Sequence, residues 1–343
     1  MIQERFQEIA DAYPKLRVAI VGDFCLDRYF EIDPARAEVS IETGLEVHNV
    51  TRVRTQPGAA GTILNNLVAL GVGEIVPIGF CGTDGEGWLL EQALQARERV
   101  SLEYFLKTEE RRTFTYSKPL VLEEGKAPRE LNRLDQKNWT PTPASVSEAL
   151  IASIRSMVDQ VDAIIVMDQV DLAGTGVVTN DVLQCLGEVA EALPDLPIIA
   201  DSRQGLAHYP PLSFKMNGSE LQRMVKAASE LSAEEIEQAI GKMARQNKRP
   251  GFVTLAERGV IGADADGVVV SAESYPVSGE IDIVGAGDSV TANLTAALAA
   301  GAHVLEAMEF AMAGASVVVH QLGTTGTASC PQIAARMGFV EFD

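Results

Sequence analysis

Short runs of apolar and β-branched residues alternate along the chain with stretches whose apolar positions recur at helical spacing. Residues 16–21, 75–80, 163–167, 197–200 and 251–255 are too short for helices and are bounded by Gly, Pro or Asp, so they predict strands. Residues 58–70, 88–96, 178–192, 219–228 and 234–245, and the stretch after Gly287, carry the helical period. Alternation of this kind predicts an α/β fold with three layers, a mainly parallel sheet covered by helices on both faces.

Two segments break the alternation. Residues 24–54 and 104–133 are rich in aromatic, β-branched and charged residues with period-2 character, as in Thr113-Phe114-Thr115-Tyr116, and predict antiparallel strands projecting from the body. A lone exposed sheet is unstable, so this lid must cover a substrate, a second copy of the chain, or both. The expected organisation is a single domain over 1–343 with the lid strands inserted in it, and a homodimer formed through those strands.

Composition narrows the function. Asp and Glu outnumber Lys and Arg by 48 to 28 in 343 residues, a net charge of −20 that argues against nucleic acid and against an anionic membrane as partner. An anionic substrate must therefore be held by local donors. Cys25, Cys81, Cys185 and Cys330 are widely spaced and form no metal-binding pattern, and the first residues show no basic-then-apolar leader. Reduced thiols and a cytoplasmic location are the expectation.

The strongest chemical signal is Ile281-Asp282-Ile283-Val284-Gly285-Ala286-Gly287-Asp288, followed by the uncharged stretch 289–294. Small residues leave backbone amides uncovered at the positive end of a helix, where an anion binds, and a carboxylate beside that pocket can take a proton from a hydroxyl. The same tetrapeptide would also serve as a plain helix cap. Asp23 and Asp27 lie four apart at a strand end, as a pair of acceptors for polyol hydroxyls would, or as solvated loop residues would. Asn217 and Glu220 have the spacing of a capping box. The chain carries neither Gly-x-Gly-x-x-Gly nor Gly-x4-Gly-Lys-Ser/Thr, so neither dinucleotide-fingerprint nor Walker-type chemistry is indicated.

Taken in order, these segments resemble the ribokinase-like (PfkB) carbohydrate kinases, and within them the heptose phosphate kinases of ADP-heptose synthesis. The motifs are Gly22-Asp23-Phe24-Cys25-Leu26-Asp27, Gly58-Ala59-Ala60-Gly61-Thr62 leading to Asn66, Asn132-Arg133-Leu134-Asp135, Asp168, Asp201-Ser202-Arg203, Lys215-Met216-Asn217-Gly218-Ser219-Glu220, Thr254-Leu255-Ala256-Glu257-Arg258-Gly259 and Gly285–Asp288.

The resemblance implies an ATP-dependent transfer of phosphoryl to a hydroxyl of a sugar or sugar phosphate, with Asp288 as base and the amides of Gly285, Ala286 and Gly287 as anion hole. It implies sugar contacts at Asp23, Asp27, Gly58, Ala59, Thr62, Asn66 and Asp168. Lys118 and Arg133 of the lid either neutralise a phosphate or are exposed charges. Nucleotide contacts are implied at Asp201, Arg203, Asn217, Thr254, Ala256, Gly259, Ser316 and Gly323, and Mg²⁺ near Glu220 and Asn217. The chain departs from the pattern at Ala59 and Ala256, where the family has Gly, at Thr62 for Asn, at Val284 for Thr, and in lacking a Lys after Asp168. A catalytically silent binding relative, or an assembly protein paired through its lid, would keep the fold without the reaction.

Overall fold

In the computed structural model, which describes residues 1–340, the strand Ala163–Asp168 is buried at every position, as expected of a strand with helices on both sides. It lies inside an eight-stranded sheet that runs, edge to edge, Val269–Ala272, Val260–Ala263, Gly251–Thr254, Ser213–Asn217, Ile198–Ser202, Ala163–Asp168, Arg17–Gly22 and Glu74–Ile78. Pairing is parallel from Gly251–Thr254 through Glu74–Ile78, and the first two strands form an antiparallel hairpin at the edge. One face packs on helices Gln3–Ala12, Ala60–Leu70, Ala286–Ala299 and Val304–Val318, through Ile9, Leu67, Leu294 and Phe310. The other packs on Ala144–Met157, Asn180–Ala192 and Ala233–Asn247, through Leu150, Leu186 and Ile240. The three-layer α/β/α expectation holds.

Register brings the polar residues together. Gly22 pairs with Met167, Met167 with Asp201, Asp168 with Ser202 and Asn217 with Thr254, so Asp23, Asp168, Asp201, Asn217 and Thr254 all cluster at the carboxyl ends of the strands. Such ends form the ligand crevice of an open parallel sheet. Helix Ala286–Ala299 starts at that edge and is buried from Ser289 to Ala297. Its buried donors are accommodated by bonds back along the helix: Thr295 Oγ1 donates to the Thr291 carbonyl at 2.8 Å, and Asn293 Nδ2 to the Ser289 carbonyl at 2.9 Å.

The lid is a second sheet, ordered Arg129–Glu130, Thr115–Val121, Phe24–Ile32 and Val50–Ala59, with Leu134–Gln136 also paired to Thr115–Val121. It extends past the predicted limits, to Ala59 and Gln136, and Leu106–Thr108 belongs instead to a small parallel pair with Phe80–Gly82. One central pairing is parallel, Asp27 opposite Tyr116, where an antiparallel lid was expected. Helix Gly85–Gln95 lies between those strands in sequence, and such a crossover returns the chain in the same direction, which a tight turn cannot do. Among the described residues no helix is long and apolar enough to cross a membrane.

Candidate active site

The run 285–288 forms an open mouth: Gly287 is exposed, and Gly285, Ala286 and Asp288 are half-buried. Gly285 precedes the helix with φ +86°, a left-handed conformation that glycine adopts without strain. Its carbonyl accepts the Ser289 N–H at 2.9 Å. The Ala286 N–H is spent on the Ile283 carbonyl at 3.2 Å, closing the turn that enters the helix, so this amide does not serve the anion hole as expected. The N–H groups of Gly285, Gly287 and Asp288 have no partner among the described residues. Burial first, then the nearby Asp201 charge, pushes the Asp288 carboxyl up to about 7, with Lys215 pulling the other way.

Beneath this mouth lies a charge that the motif reading left without a role. The Lys215 ammonium is buried and lies 2.7 Å from Asp201 Oδ2, which also accepts the Thr291 hydroxyl at 3.0 Å. A Cβ added at Gly287 would meet Lys215 Nζ at 3.2 Å, so the ammonium sits directly under the exposed turn. Burial opposes its charge, yet Asp201, with Asp288 and Glu220 behind it, raises its pKa overall. Asp201, expected on the nucleotide path, thus serves as the counter-ion that holds Lys215. The signal was a lone lysine in a strand, Ser213–Asn217, otherwise buried through Met216.

Within the lid, Asp27 pairs with Lys118, Oδ1 to Nζ 3.3 Å, and the same ammonium lies 4.9 Å over the Tyr29 ring. Burial raises the Asp27 carboxyl and Lys118 opposes the rise. Lys118 is therefore neither a free cation nor a solvated one. A Cβ at Gly58 would come within 2.7 Å of Asp27 Oδ2 and 2.8 Å of Cys25 Sγ, which explains the glycine. Thr62 and Thr325 flank Gly285, the Thr62 methyl carbon and the Thr325 Cβ 3.4 and 3.3 Å from where a Cβ would stand, so the glycine-rich turn abuts the mouth.

Asp23 departs from its expected role. Its carboxylate accepts N–H bonds from Gln169 at 2.8 Å, Val170 at 3.3 Å and Val177 at 2.7 Å, so both oxygens pin the 169–177 loop rather than face a ligand. Burial and then Asp168 push it up to about 7 against those bonds. Asn66 departs likewise. Fully buried, it donates to the carbonyls of Thr62 and Gly326 and ties two loops together. Asp168 accepts the Ser202 hydroxyl at 2.8 Å and the Tyr209 hydroxyl at 3.0 Å through Oδ2, and burial raises it.

Nucleotide-side expectations divide in the same way. Asn217 and Glu220 form a complete capping box: Glu220 Oε2 accepts the Asn217 N–H at 2.7 Å, and Asn217 Oδ1 accepts the Glu220 N–H at 2.9 Å. Glu220 Oε1 has no hydrogen-bond partner among the described residues. Thr254 donates to the Met216 carbonyl at 3.4 Å. Gly259, at φ +86°, faces the Ala272 carbonyl oxygen, which stands where a Cβ would be, so only glycine fits. Gly323 at φ +69° gives its N–H to Asp282 Oδ2 at 3.2 Å, fastening the last loop to the signature. Ser316 is buried with its hydroxyl accepting from Arg336 Nε at 2.8 Å, which leaves it a packing role. Arg203 pairs with Asp171, Nε to Oδ1 3.2 Å.

The family model for pfkB family carbohydrate kinases matches residues 17–330. The chain belongs to that family. It is a phosphotransferase that acts on sugars. Among curated proteins it is 29% identical over 325 residues to the bifunctional protein HldE of Bradyrhizobium sp. (strain ORS 278), covering 94% of this kinase and 64% of that protein. It is likewise 29% identical over 343 residues to the HldE of Hyphomonas neptunium, covering 98% and 66%. The kinase thus spans about two thirds of the length of these relatives.

Solved structures agree on the fold. An Arabidopsis thaliana ribokinase complexed with ribose and ATP superposes with a TM-score of 0.66 at 18% identity, covering 96% of this kinase and 99% of that chain. Phosphofructokinase-2 of Escherichia coli in complex with substrates and products gives 0.69 at 17%, covering 95% and 100%. Two departures from the glycine pattern fall at positive φ: Ala59 lies at φ +53°, ψ −117°, and Ala256 at φ +52°. The glycine conformation is retained in this kinase without the glycine.

Proposed function

We propose that this kinase transfers the γ-phosphoryl of ATP to a hydroxyl of a sugar or sugar phosphate, with Asp288 as base. The observation that carries this reading is one carboxyl, pushed up to about 7, set beside unpartnered amides with a buried ammonium under them. A base with that pKa is half-deprotonated near neutral pH and strong enough to accept the hydroxyl proton as the new O–P bond forms. As the β–γ bridge breaks and ADP leaves, charge on the transferred phosphoryl meets the N–H groups of Gly285, Gly287 and Asp288 and the field of Lys215. Asp27, held by Lys118, is the carboxylate that remains for sugar hydroxyls, and as part of the lid it would be brought onto the sugar when the lid closes.

The donors also fit Mg²⁺. Glu220 keeps one oxygen outside the capping box, and Asn217 positions it, so Glu220 would hold the ion, largely through water. When bound there, Mg²⁺ supplies positive charge beside the nucleotide phosphates. An ATP-using enzyme whose four cysteines are free suits the cytoplasm. The lid has a second use as a dimer face. Val53 is exposed on it, Val39, Ile41 and Leu45 are exposed on a small hairpin, Glu38–Val39 with Glu46–Val47, inserted between two of its strands, and a groove of about 730 Å³ is lined by Phe30, Ile32, Val50 and Leu134.

A screen of sugars and sugar phosphates for ADP release, with Asp288→Asn as the blank, tests the proposal. Acceptor-dependent ADP release that the substitution abolishes supports it. Ligand binding without any ADP release would make the chain a silent relative.

A further inference from the structure

The lid meets the loop beside the 285–288 mouth through one side chain that none of the motifs contains. Gln56 lies on the lid strand Val50–Ala59, directly opposite Asp27 of Phe24–Ile32, and residues opposed in this way share one face of the sheet. Half-buried, it uses both ends of its amide. Nε2 donates to the Thr325 hydroxyl at 2.7 Å and, at 3.3 Å, to the Tyr29 hydroxyl, while Oε1 accepts the Thr324 hydroxyl at 3.4 Å. Among the described residues, the bonds to Thr324 and Thr325 are the only hydrogen bonds between the lid sheet and the 321–327 loop.

Both ends of this bridge are fixed. On the loop side, Gln321 closes 321–327 on itself, donating to the Thr327 carbonyl at 2.7 Å and accepting the Thr327 N–H at 3.1 Å. Asp282 accepts the Gly323 N–H and Asn66 donates to the Gly326 carbonyl, so the loop is tied to the signature and to helix Ala60–Leu70. Thr325 then backs Gly285, its Cβ 3.3 Å from where a Gly285 Cβ would stand. On the lid side, the Tyr29 hydroxyl accepts from Lys118 at 3.4 Å, and Lys118 pairs with Asp27. An unbroken run of contacts therefore joins Asp27 to the open turn, through Lys118, Tyr29, Gln56 and Thr325.

We propose that Gln56 is a positioning residue for phosphoryl transfer: it braces the lid on the 321–327 loop, sets Asp27 in place relative to the 285–288 turn, and passes occupation of the turn on to the lid. The inference rests on the kinase reading above. Asp27 and the anion pocket belong to different parts of the fold, and a misplacement of about 1 Å between reacting groups costs about a hundredfold in rate, so a contact must hold one against the other. Glutamine suits that contact. Its amide donates and accepts at once, which engages both threonine hydroxyls without placing a second charge opposite Asp27.

Hydrogen exchange of the full chain, without ligand and with Mg²⁺ and the uncleaved imido analogue of ATP, tests the brace. Gln56→Met keeps the length and loses the bonds; Thr325→Val cuts the bridge from the other end. Without ligand, the amides of 324–327 and of both lid strands should exchange together about five- to tenfold faster in each variant, the yield of one or two ordinary hydrogen bonds. Ala163–Asp168 should keep its wild-type rates, which shows the fold intact. With the nucleotide analogue, wild type should gain protection in the lid strands as well as at 285–288, and the two variants at 285–288 alone. Gln56→Glu, which still accepts from both threonine hydroxyls, should restore part of the lid's response, as a general loosening would not permit. Loosening confined to the loop, unchanged exchange, or a lid that responds equally in the variants would overturn the brace. An analogue that protects nothing in wild type would remove the kinase reading and leave the ligand-free exchange to decide the brace. Protection at 285–288 that never reaches the wild-type lid would do the reverse.

Discussion

Replacing Asp288 with Asn should abolish turnover and at the same time stabilise the protein above neutral pH. The carboxyl titrates at about 7 in the fold against an ordinary 3.8, so the folded chain holds its proton more tightly than the unfolded one. For a raised acid, the stabilising contribution is complete below the unfolded pKa and is lost as pH rises through the folded one. Between pH 5 and pH 8 a shift of this size removes about 3 kcal/mol, and for a half-buried group roughly half of that is a reasonable expectation.

The Asn variant escapes this loss. The gap between the urea melts of the two proteins should widen by about 1–3 kcal/mol in favour of Asn between pH 5 and pH 8. Turnover should fall by at least about two orders of magnitude, the contribution of a positioned base, and wild-type kcat/KM should rise with pH through about 7. A stability difference that does not change with pH, or a kcat/KM already flat below pH 6, would refute the assignment.

Lys215→Met should cost about 3–5 kcal/mol of stability by denaturant melt, because Asp201 is left buried without its counter-ion, and it should slow turnover more than it weakens sugar binding. Ala59→Gly should raise the melting midpoint: a non-glycine residue at φ +53°, ψ −117° costs about 1–3 kcal/mol, against about 0.4–1 kcal/mol of added chain entropy for glycine. An unchanged or lower midpoint would mean that the turn relaxes around the alanine. Ile41→Asp, at a fully exposed position in the hairpin inserted between two lid strands, should raise a dimer dissociation constant at least about tenfold by sedimentation, since the burial of an isoleucine is worth about 1.5–3 kcal/mol. A mass unaffected by the substitution would place any dimer interface elsewhere.

The features legible in the sequence are those that a local pattern determines. Apolar runs gave the parallel strands, and Gly285–Asp288 announced an open helix mouth because small residues and an acid leave little else to build there. What stayed hidden depended on partners distant in the chain. Asp23 reads as a free carboxylate until the 169–177 loop donates three amides to it, and Arg203 reads as a nucleotide contact until Asp171, on another strand's loop, draws it to the lid. Period 2 marks Thr115–Val121 as a strand but carries no direction; the intervening helix sets that. The most consequential case is Lys215. A lysine in an apolar strand has to find an acid; the neighbouring strand supplies Asp201, and helix Ala286–Ala299 begins with Gly287 over the ammonium, so the charge sits under the open turn rather than at the rim. The site is thus built as a vertical stack, Thr291 and Asp201 holding Lys215 and Lys215 underlying the turn, so that its charge is fixed before any substrate arrives.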